Sequence, residues 1–502
     1  MGSGRAMTPA GRTTGGFGKP SSAKGAGVPR KQRAGGVLGL SASLDARRVD
    51  QATKLLQRGL HEQAEQEFLA LVSEGSSHPW AHANLGTLCL LRGDSAAAVG
   101  HLQRALDLRP DDPDLLANLA VALRSQGRLE EALALFRQAL GHRPEDPGLL
   151  TQLGNILQEL GDAEEGNACF QQAIAADPYH ADAQWGLALG LLRCGQFEEA
   201  WQKYEWRWLT RSFRADHLPG TLPEWTPERA VQRLLVWGEQ GVGDQILFAT
   251  MLREVLDLVP AVTLRADPRL QPLLQRSLPA LRFSDPLAPL EESAWEAQIA
   301  MGSLGRHLRR QLGDFLAHRA PFLQADPQRN KTLREQLAPG GRLVCGISWA
   351  SRGADLAWRK SIPLAELAAA LHGPDVLLVS LQYGPVTDDL QALRKATGIE
   401  VVEAEGVDTL NNLDDLAALI TACDLVVSIS NTTVHLAGAL GTPTWALLED
   451  APSWRWGQRG DGEISHWYAS VRLFRQDRSD DWTRPLDQVR GELAALLARR
   501  VG

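Results

Sequence analysis

Residues 113–146 read PDLLANLAVALRSQGRLEEALALFRQALGHRPED. Two apolar stretches at helical spacing flank the polar SQG, and a proline follows the second stretch. Gly127 supplies the left-handed residue that ends one helix. Ala132 is small enough to let a second helix approach the first, and Phe136, one turn later, fills the space between them. Pro144 then prevents the second helix from continuing. The stretch therefore predicts two helices packed against each other around a tight turn.

The same pattern extends in both directions. Units begin at Asp45, Pro79, Pro113, Pro147 and Ala181, each 34 residues after the last. The turn glycine recurs as Gly59, Gly93, Gly127, Gly161 and Gly195, and the small residue as Ala64, Ala98, Ala132, Gly166 and Ala200. The bulky residue is Phe68, Leu102, Phe136, Phe170 and Tyr204, and Pro110, Pro144 and Pro178 close the three middle units. Residues 45–214 thus resemble five tetratricopeptide repeats. Such an array forms a helical solenoid whose groove suits an extended or helical segment of a protein partner. The fifth unit ends in WQKYEWRW (Trp201–Trp208), which is expected to be a buried aromatic seam joining the array to the next domain. An exposed ligand platform is the other way to use those rings.

Residues 1–44 contain seven Lys and Arg and no Asp or Glu, with many Gly, Ala and Ser. A segment of that kind buries too little apolar surface to offset its ordering entropy, so a disordered basic tail is expected. Residues 215–230, with Pro219, Pro223 and Pro227, read as a linker. Over 502 residues the chain is expected to hold two or three domains. A net charge of −8 argues against a general nucleic-acid binder. Five cysteines, odd in number and never in a CxxC pair, fit a reduced compartment without a zinc site. No long uncharged apolar run is present, so no membrane span is expected and the cytoplasm is the default location.

Beyond residue 231 the pattern changes to short apolar strands alternating with amphipathic helices. RLLVWG (233–238), AVTLRA (261–266), RLVCGISWA (342–350), DVLLVSLQ (375–382), EVVEAE (400–405), DLVVSIS (424–430) and PTWALL (443–448) read as strands. This α/β alternation predicts two Rossmann-like parallel-sheet domains, residues 231–338 and 339–502, covered by helices and facing a cleft. Ligands of such sheets bind beyond the carboxyl ends of the strands, so the loops there are the candidate sites.

Three loops stand out. GEQGVGD (238–244) is a glycine turn leading into a helix, but it fits neither the dinucleotide nor the Walker pattern. Gly241 and Gly243 permit close approach, Gln245 comes next, and Asp244 suits either helix capping or proton abstraction. ISWASRGADLAWRKSIPL (347–364) offers Ser348, Ser351, Arg352, Arg359 and Lys360, cations suited to a diphosphate or simply solvated. SISNTTVHLAGALGTP (428–443) runs from strand to helix through Ser430, Asn431, Thr432 and Thr433, with His435 in the first turn. Hydroxyls and free helix N–H groups there make an anion site. Trp349, Gln382 and Trp454 fall near strand ends and could contact a nucleotide or belong to the core.

Residues 231–502 resemble a GT-B glycosyltransferase of the heptosyltransferase-like type. Joined to the repeats, they are similar in architecture to O-linked N-acetylglucosamine transferases and to bacterial repeat-bearing transferases, which include flagellin-modifying enzymes. The resemblance rests on WGEQGVGDQILFAT, WRKSIPL and SNTTVHLAGALGTP, with further similarity in PSWRWGQRG and HWYASVRLFRQ. It implies that Asp244 is the catalytic base, that Lys360 meets the donor phosphate and that His435 lies beside the diphosphate of a nucleotide-sugar. Arg352, Arg359, Lys360 and the helix N-terminus at Thr432–His435 would then stabilise the charge of the leaving nucleotide. Gln382 is a further donor-site candidate from its place at a strand end. A metal-independent, inverting transfer to a hydroxyl of a protein acceptor is implied, with no further cofactor. The sequence departs from the family where Asp-Thr usually opens the turn before the histidine, because Ser430-Asn431 stands there. That departure keeps open a non-catalytic scaffold with a degenerate domain. A transferase acting on a lipid-linked or surface glycan is the third alternative.

Overall fold

The computed structural model describes residues 36–211, 213, 217–218, 220–337, 341–351, 357–458, 460, 462–477 and 481–501. The expected basic tail up to residue 35, and Arg352, lie outside the described residues. Two compact units divide the chain, Met1–Gly186 and Leu187–Gly502.

The first unit is a run of paired helices. Gly36–Gln57 pairs with His61–Ser73, Pro79–Leu91 with Ser95–Leu108, Pro113–Ser125 with Leu129–His142, and Pro147–Glu159 with Ala163–Ala176. Gly59, Gly93, Gly127 and Gly161 have φ of 76°, 81°, 79° and 87°, the left-handed backbone each turn requires. Pro79, Pro113 and Pro147 stand at the first helical positions, where a missing N–H costs nothing. Asp94, Asp112, Asp146 and Asp162 accept backbone N–H bonds as N-caps. Phe68, Phe136 and Phe170 are fully buried at the helix crossings. Space for Phe170 exists because residues 154 and 186 are glycine: a Cβ at either would lie 2.7 or 2.5 Å from its ring. The first helix starts at Gly36, so residues 36–44, expected as part of a disordered tail, are helical and extend the first repeat helix upstream of Asp45.

The second unit begins within the helix Ala181–Arg193 and continues through Phe197–Tyr204 into two parallel sheets. The first sheet contains β1 (Arg233–Trp237), β2 (Ala261–Arg265), β3 (Arg282–Phe283) and β4 (Ala297–Ala300), in the order β3-β2-β1-β4. The second contains β5 (Leu343–Ser348), β6 (Val376–Ser380), β7 (Val401–Val402), β8 (Leu425–Ile429), β9 (Thr444–Leu448) and β10 (Val471–Arg475), in the order β10-β9-β8-β5-β6-β7. Every residue of β5, β6 and β8 is buried, as expected for parallel strands covered on both faces. Ile347, Leu378, Val427, Leu447, Phe474 and Trp482 form part of one continuous core around this sheet. Strand order reverses at β1 and again at β5, and the carboxyl ends of the strands at such switch points are where open parallel sheets bind ligands. Arg276 fastens the two halves, giving Asp414 two hydrogen bonds of 2.7 Å.

Candidate functional site

The loop after β1 is held from several sides. Gln240 adopts a φ of 61°, uncommon for a residue with a side chain, and its amide donates to the Tyr204 hydroxyl at 2.7 Å. Glu239 is buried and receives 2.8 Å hydrogen bonds from Nε and Nη2 of the equally buried Arg207, and 2.9 Å from the Gly302 N–H. Burial alone would lower the Arg207 pKa, but Glu239 and Glu205 outweigh it and hold the guanidinium firmly charged. Gln245 is buried too, accepting the Asp267 N–H at 2.9 Å. The aromatic run of the sequence is thus part of the loop's support: Trp201 and Tyr204 are fully buried, and Trp201 donates to the Arg309 carbonyl at 2.7 Å.

The turn after β8 is built by a second network. Asn431 Oδ1 caps the helix Thr432–Leu440 by accepting the Thr433 N–H at 3.0 Å, while its amide donates to Ser348 Oγ at 2.8 Å. Ser348 donates onward to Gln382 Oε1 at 3.0 Å, and that oxygen also accepts the Trp349 and Ala350 N–H groups. The carboxyl ends of β8, β5 and β6 are thereby tied together. Thr433 is fully buried, and Ser430 Oγ accepts the Trp456 indole N–H at 2.7 Å. Thr432 remains half-buried at the helix N-terminus.

These two turns meet. A Cβ on Gly243 would lie 3.3 Å from His435 Cδ2 and 3.4 Å from Thr432 Oγ1, so the two turns are in close contact and a side chain there would crowd the histidine ring. One residue on, Asp244 Oδ1 accepts from Arg455 Nε at 2.7 Å and from Arg455 Nη2. Both side chains keep 18% exposure. His435 is 5% exposed, its ring stacked on Trp456 at 5.1 Å and its Nδ1 3.3 Å from the Tyr468 hydroxyl. Burial, reinforced by the charges of Arg455 and Lys360 against that of Asp244, pushes its pKa down to about 3, so the imidazole is neutral. The charge of Lys360 also acts on Glu449, whose Oε2 is buried and, among the described residues, without a hydrogen-bond partner, and whose pKa burial raises. Arg359 is buried and donates to Asp450 at 3.2 Å. A cavity of about 400 Å³ lies at the carboxyl ends of β6 and β7, lined by Gln382, Glu403, Asp408, Thr409 and Asn411 among others.

The structure therefore gathers Gly241, Gly243, Asp244, Thr432, His435 and Lys360 at one junction, and uses Gln245, Ser348, Gln382, Asn431 and Thr433 as internal braces. Ser351 is half-buried, its N–H donating to Ser361 Oγ at 3.1 Å. Trp349 belongs to the core of the second sheet, and Trp454 packs among Trp201, Tyr204, Phe248 and Trp467. Arg455, Trp456 and Tyr468 are the site residues that sequence reasoning missed. They lie on the irregular segment between β9 and β10, inside the two stretches PSWRWGQRG and HWYASVRLFRQ. Among the described residues no cluster of three or more His, Cys, Asp or Glu is placed to hold a metal ion. Among them, too, no helix is long and apolar enough to cross a membrane.

Comparison with known proteins gives the class of the first unit. Residues 49–113, 92–148 and 151–210 match the tetratricopeptide repeat family, and the helical array is a tetratricopeptide-repeat solenoid. It is followed by an α/β region of two parallel sheets. Among individual proteins, the chain is 32% identical over 330 residues to Protein FlbA of Caulobacter vibrioides, covering 61% of this chain and 54% of that one. The chain thus spans about half the length of the curated relative it matches. Solved structures similar to the array include MamA (14% identity, 33% of this chain and 97% of that one, TM-score 0.29). YrrB, a tetratricopeptide protein with an unusual peptide-binding site, is 20% identical over 34% of this chain and 86% of its own, with a TM-score of 0.28.

Proposed function

We propose that the second unit is a glycosyltransferase that moves a sugar from a nucleotide-sugar to a hydroxyl of a protein acceptor chosen by the repeats. The observation that carries this proposal is the junction itself. The glycine turn of one parallel sheet packs on a helix N-terminus of the other, bringing an acid and its arginine partner to a neutral imidazole on which the charge of Lys360 also acts. The nucleoside would occupy the cavity beyond β6 and β7, whose volume is of the right order for such a group. Its diphosphate would lie against Thr432, Lys360 and the free N–H groups of the helix. The acceptor oxygen attacks the anomeric carbon as the bond from that carbon to the phosphate oxygen breaks. The acceptor's proton passes to Oδ2 of Asp244, because Oδ1 is engaged by Arg455. The nucleoside diphosphate departs with the bonding electrons, and a single displacement inverts the sugar carbon. Cations and helix N–H groups stabilise the leaving charge, so no metal is required.

The degenerate-scaffold alternative is favoured by one observation. Ser348, Gln382, Asn431 and Thr433 satisfy one another or the backbone, rather than pointing at an empty site. Turnover of a panel of nucleotide-sugars by the wild type and by Asp244→Asn separates the two. The proposal expects release of nucleoside diphosphate by the wild type and a loss of about 100- to 10,000-fold in the variant. No turnover of any donor by the wild type, in the presence of its acceptor, would leave the scaffold standing. A protein product that disappears when residues 45–180 are deleted would distinguish a protein acceptor, flagellin being one candidate, from a lipid-linked or surface glycan.

A further inference from the structure

We infer that Tyr468 is a positioning residue that fixes the His435 ring in one tautomer, with the proton on Nε2, and so makes that nitrogen a hydrogen-bond donor to a phosphate oxygen. The tautomer follows from geometry alone, while its use rests on the diphosphate proposal above. Tyr468 is buried, and among the described residues its hydroxyl has one hydrogen-bond partner, His435 Nδ1 at 3.3 Å. If Nδ1 carried the proton, the phenol hydrogen would be buried with no acceptor, a costly arrangement. With the phenol donating, Nδ1 accepts and the ring's own proton must be on Nε2.

Other features hold the ring in that pose. Trp456 stacks on His435 with an interplanar angle of 16°, and the Trp456 indole is itself pinned to Ser430. Tyr468 reaches the histidine because residue 438, on the same helix, is glycine: a Cβ there would lie 2.5 Å from Tyr468 Cγ. The ring edge carrying Cδ2, adjacent to Nε2, lies against Gly243, so the donor nitrogen belongs to the side facing the glycine turn. Arg455, Lys360 and Asp244 are the charged groups around the ring, and burial together with the two cations keeps it neutral.

Nitrogen-15 NMR of the full chain, labelled at histidine, tests this directly. The signals of residue 435 are picked out of the twelve histidines by difference against His435→Gln. The expected wild-type spectrum shows Nε2 protonated and Nδ1 bare, unchanged from about pH 5 to 8. Tyr468→Phe should give a mixture of tautomers, as should Gly438→Ala, which displaces the tyrosine while keeping its hydroxyl. Both should weaken binding of nucleoside diphosphates several-fold. A wild-type ring protonated on Nδ1, or one that titrates like an ordinary histidine, would overturn the inference, and that spectrum decides even where a variant fails to fold. A fixed Nε2–H tautomer in a protein that binds no nucleotide would instead sink the diphosphate proposal and leave the tautomer assignment intact.

Discussion

Arg455 and Asp244 are 211 positions apart in sequence, yet two guanidinium nitrogens converge on the single carboxylate oxygen Oδ1. Asp244 belongs to the first turn after β1, Arg455 to the segment after β9, so the pair ties one sheet's loops to the other's. Arg455 also lies 4.8 Å from the Trp454 ring centroid, which restricts where the guanidinium can go. Removing either partner should therefore cost stability, and removing both should cost less than the sum. A double-mutant cycle of Asp244→Asn and Arg455→Gln, measured by urea unfolding, is expected to give a coupling energy of about 0.5–3 kcal/mol. Additive losses would mean that the pair carries no energy in solution.

His435 makes stability depend on pH in a predictable direction. Its pKa falls from an ordinary value near 6.5 to about 3 on folding. Between those values the unfolded chain binds a proton that the folded chain refuses, so stability declines as pH drops through that window. The contribution approaches about 1.4 kcal/mol per pH unit. His435→Gln should remove that slope, which unfolding curves at a series of pH values would show as a shallower acid dependence than the wild type.

The Arg207–Glu239 pair predicts a larger effect. Both side chains are wholly buried, so Glu239→Ala strips the carboxylate from Arg207 Nε and Nη2 and leaves the buried guanidinium with Glu205 as its remaining ion partner. About 3–5 kcal/mol of destabilisation is expected, seen as a fall in the unfolding midpoint. A change within experimental error would show that water reaches Arg207.

In the first unit the tight fit of Phe170 makes Gly154→Ala an overpacking mutation. The new methyl would lie 2.7 Å from the phenyl ring and 3.0 Å from the Gly166 carbonyl oxygen. A loss of about 1–3 kcal/mol is expected from chemical denaturation, with helical content retained in circular dichroism.

The helical array was legible because its constraint repeats: one glycine, one small residue and one bulky residue every turn pair fix register without long-range information. β1, β5, β6, β8 and β9 were legible as apolar runs, since strands covered on both faces have little polar alternation to hide them. β2 instead shows through alternation, and of the strand expected over 400–405 only Val401–Val402 pairs. β3 pairs over two residues, β4 is the short AQIA, and β10 alternates Arg with apolar residues, so none gives a strand-length apolar signal. At the site, GVGD and SNTTVH were found because strand-to-helix turns have a recognisable grammar. The inward orientation of Asn431 and Ser348 was not, because one serine or asparagine reads the same whether it braces a turn or meets a ligand. Arg455 and Tyr468 lie on irregular chain without period, and their roles come only from the tertiary approach that Gly243 and Gly438 allow.

Calorimetric titration of the intact chain reads out whether the junction of the Gly243 turn and the Thr432 helix binds a nucleoside diphosphate. The titrants are ADP, GDP, UDP, CDP and dTDP, each measured against the wild type, Lys360→Ala and Asp244→Asn. At least one nucleotide is expected to bind the wild type, to lose about tenfold or more in Lys360→Ala, and to keep its affinity in Asp244→Asn. Absence of heat with all five at millimolar concentration, or binding indifferent to Lys360, would contradict binding at that junction.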